Sequence, residues 1–120
     1  MTVIKILRAA KAKLTPETWA QNDYAFDAAG DLCKPTSPRA VRFCATGAIE
    51  SLNKNPNARS RTGVRQITLV RLAVSRLNAA AKGMGIATVP SPATWLNDHT
   101  DLATVHRMFD VAIETAERAA

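Results

Sequence analysis

Five cationic side chains recur along one segment at spacings that suit contacts with phosphate groups. They are Arg61, Arg65, Arg71, Arg76 and Lys82. At about 100° per residue in a helix, all five fall on one side, and Val70, Val74 and Leu77 fall opposite. Arginine forms paired, planar hydrogen bonds with phosphate oxygens. The pattern therefore predicts one long helix, over about residues 60–82, with an anion-binding face.

The charge of the chain is concentrated in the same segment. Between Glu50 and Asp98 there are seven cations, including Lys54 and Arg59, and no Asp or Glu, whereas the whole chain has a net charge of +6. An ordinary surface mixes charges of both signs. We therefore expect non-catalytic binding of an anionic partner, either nucleic acid or a nucleotide-like phosphate. No aromatic residue interleaves the arginines, so the segment itself offers no base stacking.

A protein partner is the first alternative for this face. Leu72 falls among the arginines on the predicted helix. An exposed leucine is common on any surface, but here it could mark a helix-on-helix contact. The face could then bind an acidic protein surface, or a second copy of the chain in a homodimer.

A cysteine-dependent enzyme is the second alternative. Cys44 with His99 and Asp98 supplies the residue types of a nucleophile, a base and an orienting group. A cysteine between apolar neighbours is, however, more often a small core residue. The sequence therefore favours a protein without catalytic residues.

The Asn97-Asp98 pair has two interpretations. Both side chains can bond nearby backbone N–H groups and so fix the entry of the last helix, which is the role we favour. The pair could instead belong to a polar pocket, whose residues would be Trp19, Gln21, Asp23, Gly47, Trp95, Asn97 and Asp98. Gly47 costs a helix about 1 kcal/mol relative to alanine. We expect another helix or a ligand to approach closely at that position.

The sequence carries no signal for a metal site or for a membrane-spanning segment. The cysteines and histidines are too scattered for a zinc signature, and we expect neither a metal nor a cofactor. Cys33 and Cys44 could pair, but two cysteines without an export signal are more often free thiols of a cytoplasmic protein. Charges interrupt the first helix, and no run approaches the roughly 20 apolar residues of a membrane span.

The elements that position these residues are mainly helical. Apolar spacing and cap-then-proline signals predict helices over about residues 3–14, 37–52, 60–82 and 101–118, with a break at 53–57. A small hairpin or irregular excursion is expected near residues 22–36. Trp19 and Trp95, each after a cap-proline start, are expected to be core anchors. The fold prediction is a mainly α, compact bundle of about four helices in a single helical domain, residues 1–120.

Short motifs across most of the chain resemble a family of small uncharacterised proteins from bacteria and their phages. The strongest is Phe43-Cys44-x-x-Gly47-Ala48 combined with the later Asn97-Asp98. The resemblance implies a compact, mostly helical fold and supplies no reaction. A phage-type accessory role would fit such a protein. The basic middle helix is not part of the resemblance.

Overall fold

The computed structural model describes residues 1–54 and 60–119. These ranges contain five helices and two short strands: α1 (Val3–Lys13), β1 (Ala25–Phe26), β2 (Arg42–Phe43), α2 (Ala45–Glu50), α3 (Arg61–Gly83), α4 (Pro92–His99) and α5 (Leu102–Ala119). The mainly α prediction is confirmed. Arg59 and positions 55–57 of the predicted break lie outside the described residues. None of the helices in the described ranges is both long and apolar enough to cross a membrane.

The core lies where α1, α3 and α5 pack against one another. Phe109, Ile6 and Leu77 are fully enclosed there. Small residues complete the contacts: Ala73 and Ala81 on α3 have no exposed surface, which lets neighbouring helices approach closely. The shorter α2 and α4 cover further sides of this core. Alanine and branched aliphatic residues thus form most of the core in a sequence with few aromatic residues.

Capping side chains fix the helix starts. The Thr2 hydroxyl accepts a hydrogen bond from the Lys5 N–H at 3.2 Å, and the Ser60 hydroxyl accepts one from the Gly63 N–H at 2.9 Å. Each bond satisfies a backbone donor that has no partner within the helix. The observed α3 therefore begins and ends within one residue of the predicted range.

The excursion between α1 and α2 holds the two strands. Phe26 and Leu32 form an antiparallel bridge across a turn in which the Asp27 carboxylate accepts from the Ala29 and Asp31 N–H groups, each at 2.9 Å. The predicted hairpin near residues 22–36 is present. It extends further than predicted, because β1 also pairs antiparallel with β2.

The helix predicted over residues 37–52 is wrong in its first half. Ser37 does not cap a helix; its hydroxyl accepts from the Arg39 N–H at 3.1 Å in a turn. The Val41 N–H then donates to the Phe26 carbonyl at 2.9 Å, and the following residues form β2. Pairing with a distant strand therefore outweighs the local helix signal, and α2 begins only at Ala45.

Candidate anion-binding face and polar corner

The solvent-facing side of α3 carries all five predicted cations. Arg61, Arg65, Arg71, Arg76 and Lys82 are exposed. At a rise of about 1.5 Å per residue they extend along roughly 32 Å of helix. Val70 and Leu77 are buried on the opposite side. We call the side that carries the five cations the basic face.

The basic face has no carboxylate partners within the described ranges. The ion pairs within the described ranges all lie on α1 and α5. They join Arg8 to Glu117, Lys11 to Asp110 and Arg118 to Glu114. None involves a cation of α3. The acidic residues that balance the rest of the chain therefore do not neutralise this helix.

Apolar side chains lie between these cations. Val64 is 49 % exposed and Leu72 is 48 % exposed on α3. Leu72 thus lies where the sequence predicts, open to solvent among the arginines. Such surface can contact a protein partner or the apolar parts of another ligand.

The cavities along the basic face are small and separate. Arg61 and Arg65 border one with Leu69, and Arg76 borders another with Leu72. A third cavity includes Arg71, and each of these three cavities includes at most two of the five cations. The surface is therefore an extended row of charges.

Asn97 is the centre of a second polar region, which we call the polar corner. Its side chain has no exposed surface. The carbonyl oxygen accepts from Trp19 Nε1 at 2.8 Å and from the Ala45 N–H at 2.9 Å. The amide nitrogen donates to the Ala20 carbonyl and to Asp98 Oδ1, each at 3.0 Å. All four hydrogen-bonding positions of the amide are used.

Gln21 and Asp98 complete the corner. Gln21 Nε2 donates to the carbonyls of Asn97 at 3.1 Å and Thr100 at 3.0 Å, which lack helical partners at the end of α4. Asp98 Oδ1 also accepts from the Asn22 N–H at 2.9 Å. The favoured structural role therefore agrees with this geometry, but the expected local backbone partners are wrong. The backbone N–H partners are Asn22, in the segment before β1, and Ala45, at the start of α2, because the fold places both against α4.

Gly47 is a site of close approach. An ideal Cβ at this position would lie 1.9 Å from the Tyr24 carbonyl oxygen. The approaching group is thus backbone just before β1, rather than the helix or ligand that we expected.

Trp95 stands apart from the other predicted pocket residues. Its ring stacks on His99 with centroids 4.3 Å apart, and the residue is 37 % exposed. The prediction of a core anchor is wrong at this position. Trp19 is partly buried and bonded to Asn97, so only the first tryptophan serves as an anchor.

A cavity of about 230 Å³ adjoins the corner. Asp23 and Asp98 border it, as the pocket hypothesis expects, together with Tyr24, Cys44 and Thr94. The sequence analysis did not assign Tyr24 or Thr94 to a site. The place of Tyr24 beside Cys44 depends on backbone pairing between distant segments, which has no local signal in the sequence.

The structure gives little support to a cysteine-dependent enzyme. Cys44 is only 2 % exposed, and its Sγ accepts from the Gly47 N–H at 3.2 Å as the cap of α2. Burial raises the pKa of the thiol to about 11, so the nucleophilic thiolate is scarce at neutral pH. His99 does not border the cavity that Cys44 lines; its Nδ1 lies 2.8 Å from the Trp95 carbonyl oxygen.

The cysteines form no disulfide, and the described residues form no metal-binding cluster. Cys33 and Cys44 are both free thiols, so the pairing that the sequence left open does not occur. Within residues 1–54 and 60–119, no three Cys, His, Asp or Glu side chains are grouped so that they could hold a metal ion.

Comparison with known proteins places the chain in a family. Residues 1–115 match the model described as "Family of unknown function (DUF6197)", and the chain belongs to that family. The predicted resemblance to an uncharacterised family is confirmed at this level. Comparisons with curated proteins and with solved structures gave no match.

Proposed function

We propose that the protein binds nucleic acid without catalysis, through phosphate contacts made by the basic face of α3. One observation carries the proposal. Five cations lie exposed on one helix and form no ion pair within the described ranges. Lys and Arg side chains in this state can replace the counterions of a phosphate backbone, which favours association at low salt.

The arrangement favours an extended polyanion over a single small phosphate. The cations follow the helix for about 32 Å at 1.5 Å per residue, and duplex DNA carries one charge per roughly 1.7 Å of its axis. A nucleotide-like phosphate would contact at most two of them, since they border separate cavities. Each arginine then contributes a modest contact, and the sum along the strand determines the affinity.

The aliphatic residues of the face support a second candidate. Val64 and Leu72 are about half exposed between the cations, and protein interfaces combine arginine with apolar contacts. An acidic protein surface, or a second copy in a homodimer, would use Leu72 directly. Nucleic acid would instead bind mainly through the cations around these two residues.

We also propose a biological role for the protein. The resemblance to bacterial and phage proteins supports an accessory role in which a small cytoplasmic protein binds nucleic acid. Such a role needs no reaction.

Reversing two charges of the basic face tests the proposal. We expect Arg65→Glu combined with Arg76→Glu to weaken binding of a labelled single-stranded oligonucleotide by about tenfold or more, because each lost phosphate contact removes counterion release. The thermal stability should stay nearly unchanged, since neither arginine has an ion pair in the described residues. Fluorescence anisotropy and thermal denaturation measure the two quantities.

Arg39→Glu combined with Arg107→Glu is the matched control. Both residues are exposed and lie outside α3, so the net charge changes equally. If both double variants weaken oligonucleotide binding equally, the effect comes from overall charge, and the basic face is not a specific binding site. The second candidate predicts a different result: the wild-type chain binds no oligonucleotide but retains an acidic protein. Loss of that retention in Leu72→Ala would establish the second candidate.

A further inference from the structure

A cavity of about 460 Å³ lies between α2, α3 and the segment 34–36. Five polar side chains border it: Lys34, Thr36, Glu50, Asn53 and Arg71. The volume falls within the range of small-molecule sites, about 300–1,000 Å³. Arg71 belongs both to this cavity and to the basic face, so the two surfaces are continuous.

The five polar side chains that border this cavity do not bond to one another. Within residues 1–54 and 60–119 none of the five forms a side-chain hydrogen bond or an ion pair. The groove between α1 and α5 differs, because its Lys11 is paired with Asp110 at 2.7 Å. Polar groups that converge on a cavity without using one another are available to a ligand.

Burial is unfavourable for two of these polar groups in the folded protein. Burial raises the pKa of Glu50, since a desolvated carboxylate has lost water contacts without gaining a partner. The Oδ1 atom of Asn53 is enclosed and accepts no hydrogen bond from the described residues. A ligand that donates hydrogen bonds would compensate the carboxylate directly, and the amide after a side-chain rotation.

The remaining wall is apolar and comes from two segments. Pro35 lies on one side, and Ile67 and Val70 of α3 lie on another. Flat aromatic rings can pack against aliphatic surfaces of this kind. The cavity thus combines cations, acceptors and an apolar wall, which matches the phosphate, the amino group and the faces of a nucleotide.

We propose that this cavity holds one nucleotide of a single-stranded nucleic acid and prefers a base with an exocyclic amino group. The inference rests on the proposed function and deepens it. Arg71 and Lys34 contact the phosphate, while the base amino group donates to Glu50. Cytosine presents such a donor, whereas thymine presents a carbonyl oxygen there. The base edge is accessible only in an unpaired strand, so the site adds base readout that the arginines alone do not provide.

Matched oligonucleotides test this preference. We expect the wild-type chain to bind oligo-dC about fivefold or more tightly than oligo-dT of equal length at neutral pH, as one hydrogen bond to a charged group allows. Glu50→Ala should lower the affinity for oligo-dC to that for oligo-dT and leave oligo-dT unchanged. Arg71→Ala should weaken both equally.

Methyl NMR with free mononucleotides gives an independent readout. Cytidine monophosphate should shift the methyl signals of Ile67 and Val70, and thymidine monophosphate should shift them less. Salt-dependent binding of both oligonucleotides without preference or methyl shifts would overturn the nucleotide cavity and leave the basic face intact. If no oligonucleotide binds and no methyl signal shifts, both proposals are wrong.

Discussion

The polar corner and the basic face use polar side chains in opposite ways. In the corner, the Asn97 amide makes four hydrogen bonds within the fold, and Gln21 and Asp98 bond backbone groups of distant segments. On α3, the cations form no ion pair with any described residue. Both regions are polar and both were candidate sites, yet only one of them leaves its groups available.

The difference separates polar groups that are bonded within the fold from polar groups that remain exposed without an ion pair among the described residues. A buried amide with all positions bonded stabilises one arrangement of the chain, and a ligand could bond to this amide only by breaking those hydrogen bonds. Exposed cations contribute little to folding but can bind external anions. The comparison therefore predicts that changes in the corner affect stability, whereas changes on α3 affect binding.

The largest effect is expected at Asn97. Asn97→Leu removes the acceptor for Trp19 and Ala45 and the donor for Ala20, and each unpaired buried group costs about 1–3 kcal/mol. We expect the free energy of unfolding to fall by about 3 kcal/mol or more, measured by urea denaturation. A decrease in the free energy of unfolding below about 1 kcal/mol, the net value of one ordinary hydrogen bond, would show that the polar corner does not stabilise the fold as proposed.

The Cys44 thiol provides a pH-dependent effect of similar size. Burial raises the pKa of this thiol from its ordinary value of 9.0 to about 11. The unfolded chain therefore loses this proton first, and stability decreases as the pH rises from 9.0 toward 11. The decrease due to this group should be roughly 2–3 kcal/mol. Cys44→Ser is the control, because its hydroxyl can still cap Gly47 but does not titrate there. Equal pH profiles of the two proteins would contradict the assignment.

A smaller effect is expected from a pair of glycine substitutions. Gly47→Ala places a methyl group against the Tyr24 carbonyl and should destabilise the fold by about 1–3 kcal/mol. Gly83→Ala, at the end of α3, meets no atom within 4 Å and should stabilise it by up to about 1 kcal/mol. Thermal denaturation of both variants provides the comparison. Equal melting temperatures would mean that the backbone before β1 moves away from α2 at little cost.

The sequence predicted the helices well where local signals decide the structure. Apolar periodicity and caps located α1, α3 and α5, and periodicity alone placed the five cations on one face. The sequence-based prediction was wrong at Ser37, where pairing of Val41 with Phe26 replaces the predicted helix start. Tertiary pairing of this kind has no local signature.

The site residues show the same limit. Asn97 was identified as important because Asn and Asp commonly bond backbone groups, but three of its four partners lie more than 50 residues away in sequence. The cavity that Glu50 and Arg71 share with the segment 34–36 could not be predicted, because three separate segments form it. Spacing along the chain reveals faces of single helices, whereas cavities require the packed fold.

The salt dependence of single-stranded oligonucleotide binding tests the central claim most directly. Five phosphate contacts predict that log K falls with log [salt] with a slope of about −3.5, at roughly −0.7 per contact for single strands. Arg65→Gln should make this slope shallower by about 0.7. A slope near zero, or one that Arg65→Gln leaves unchanged, would contradict phosphate binding by the basic face.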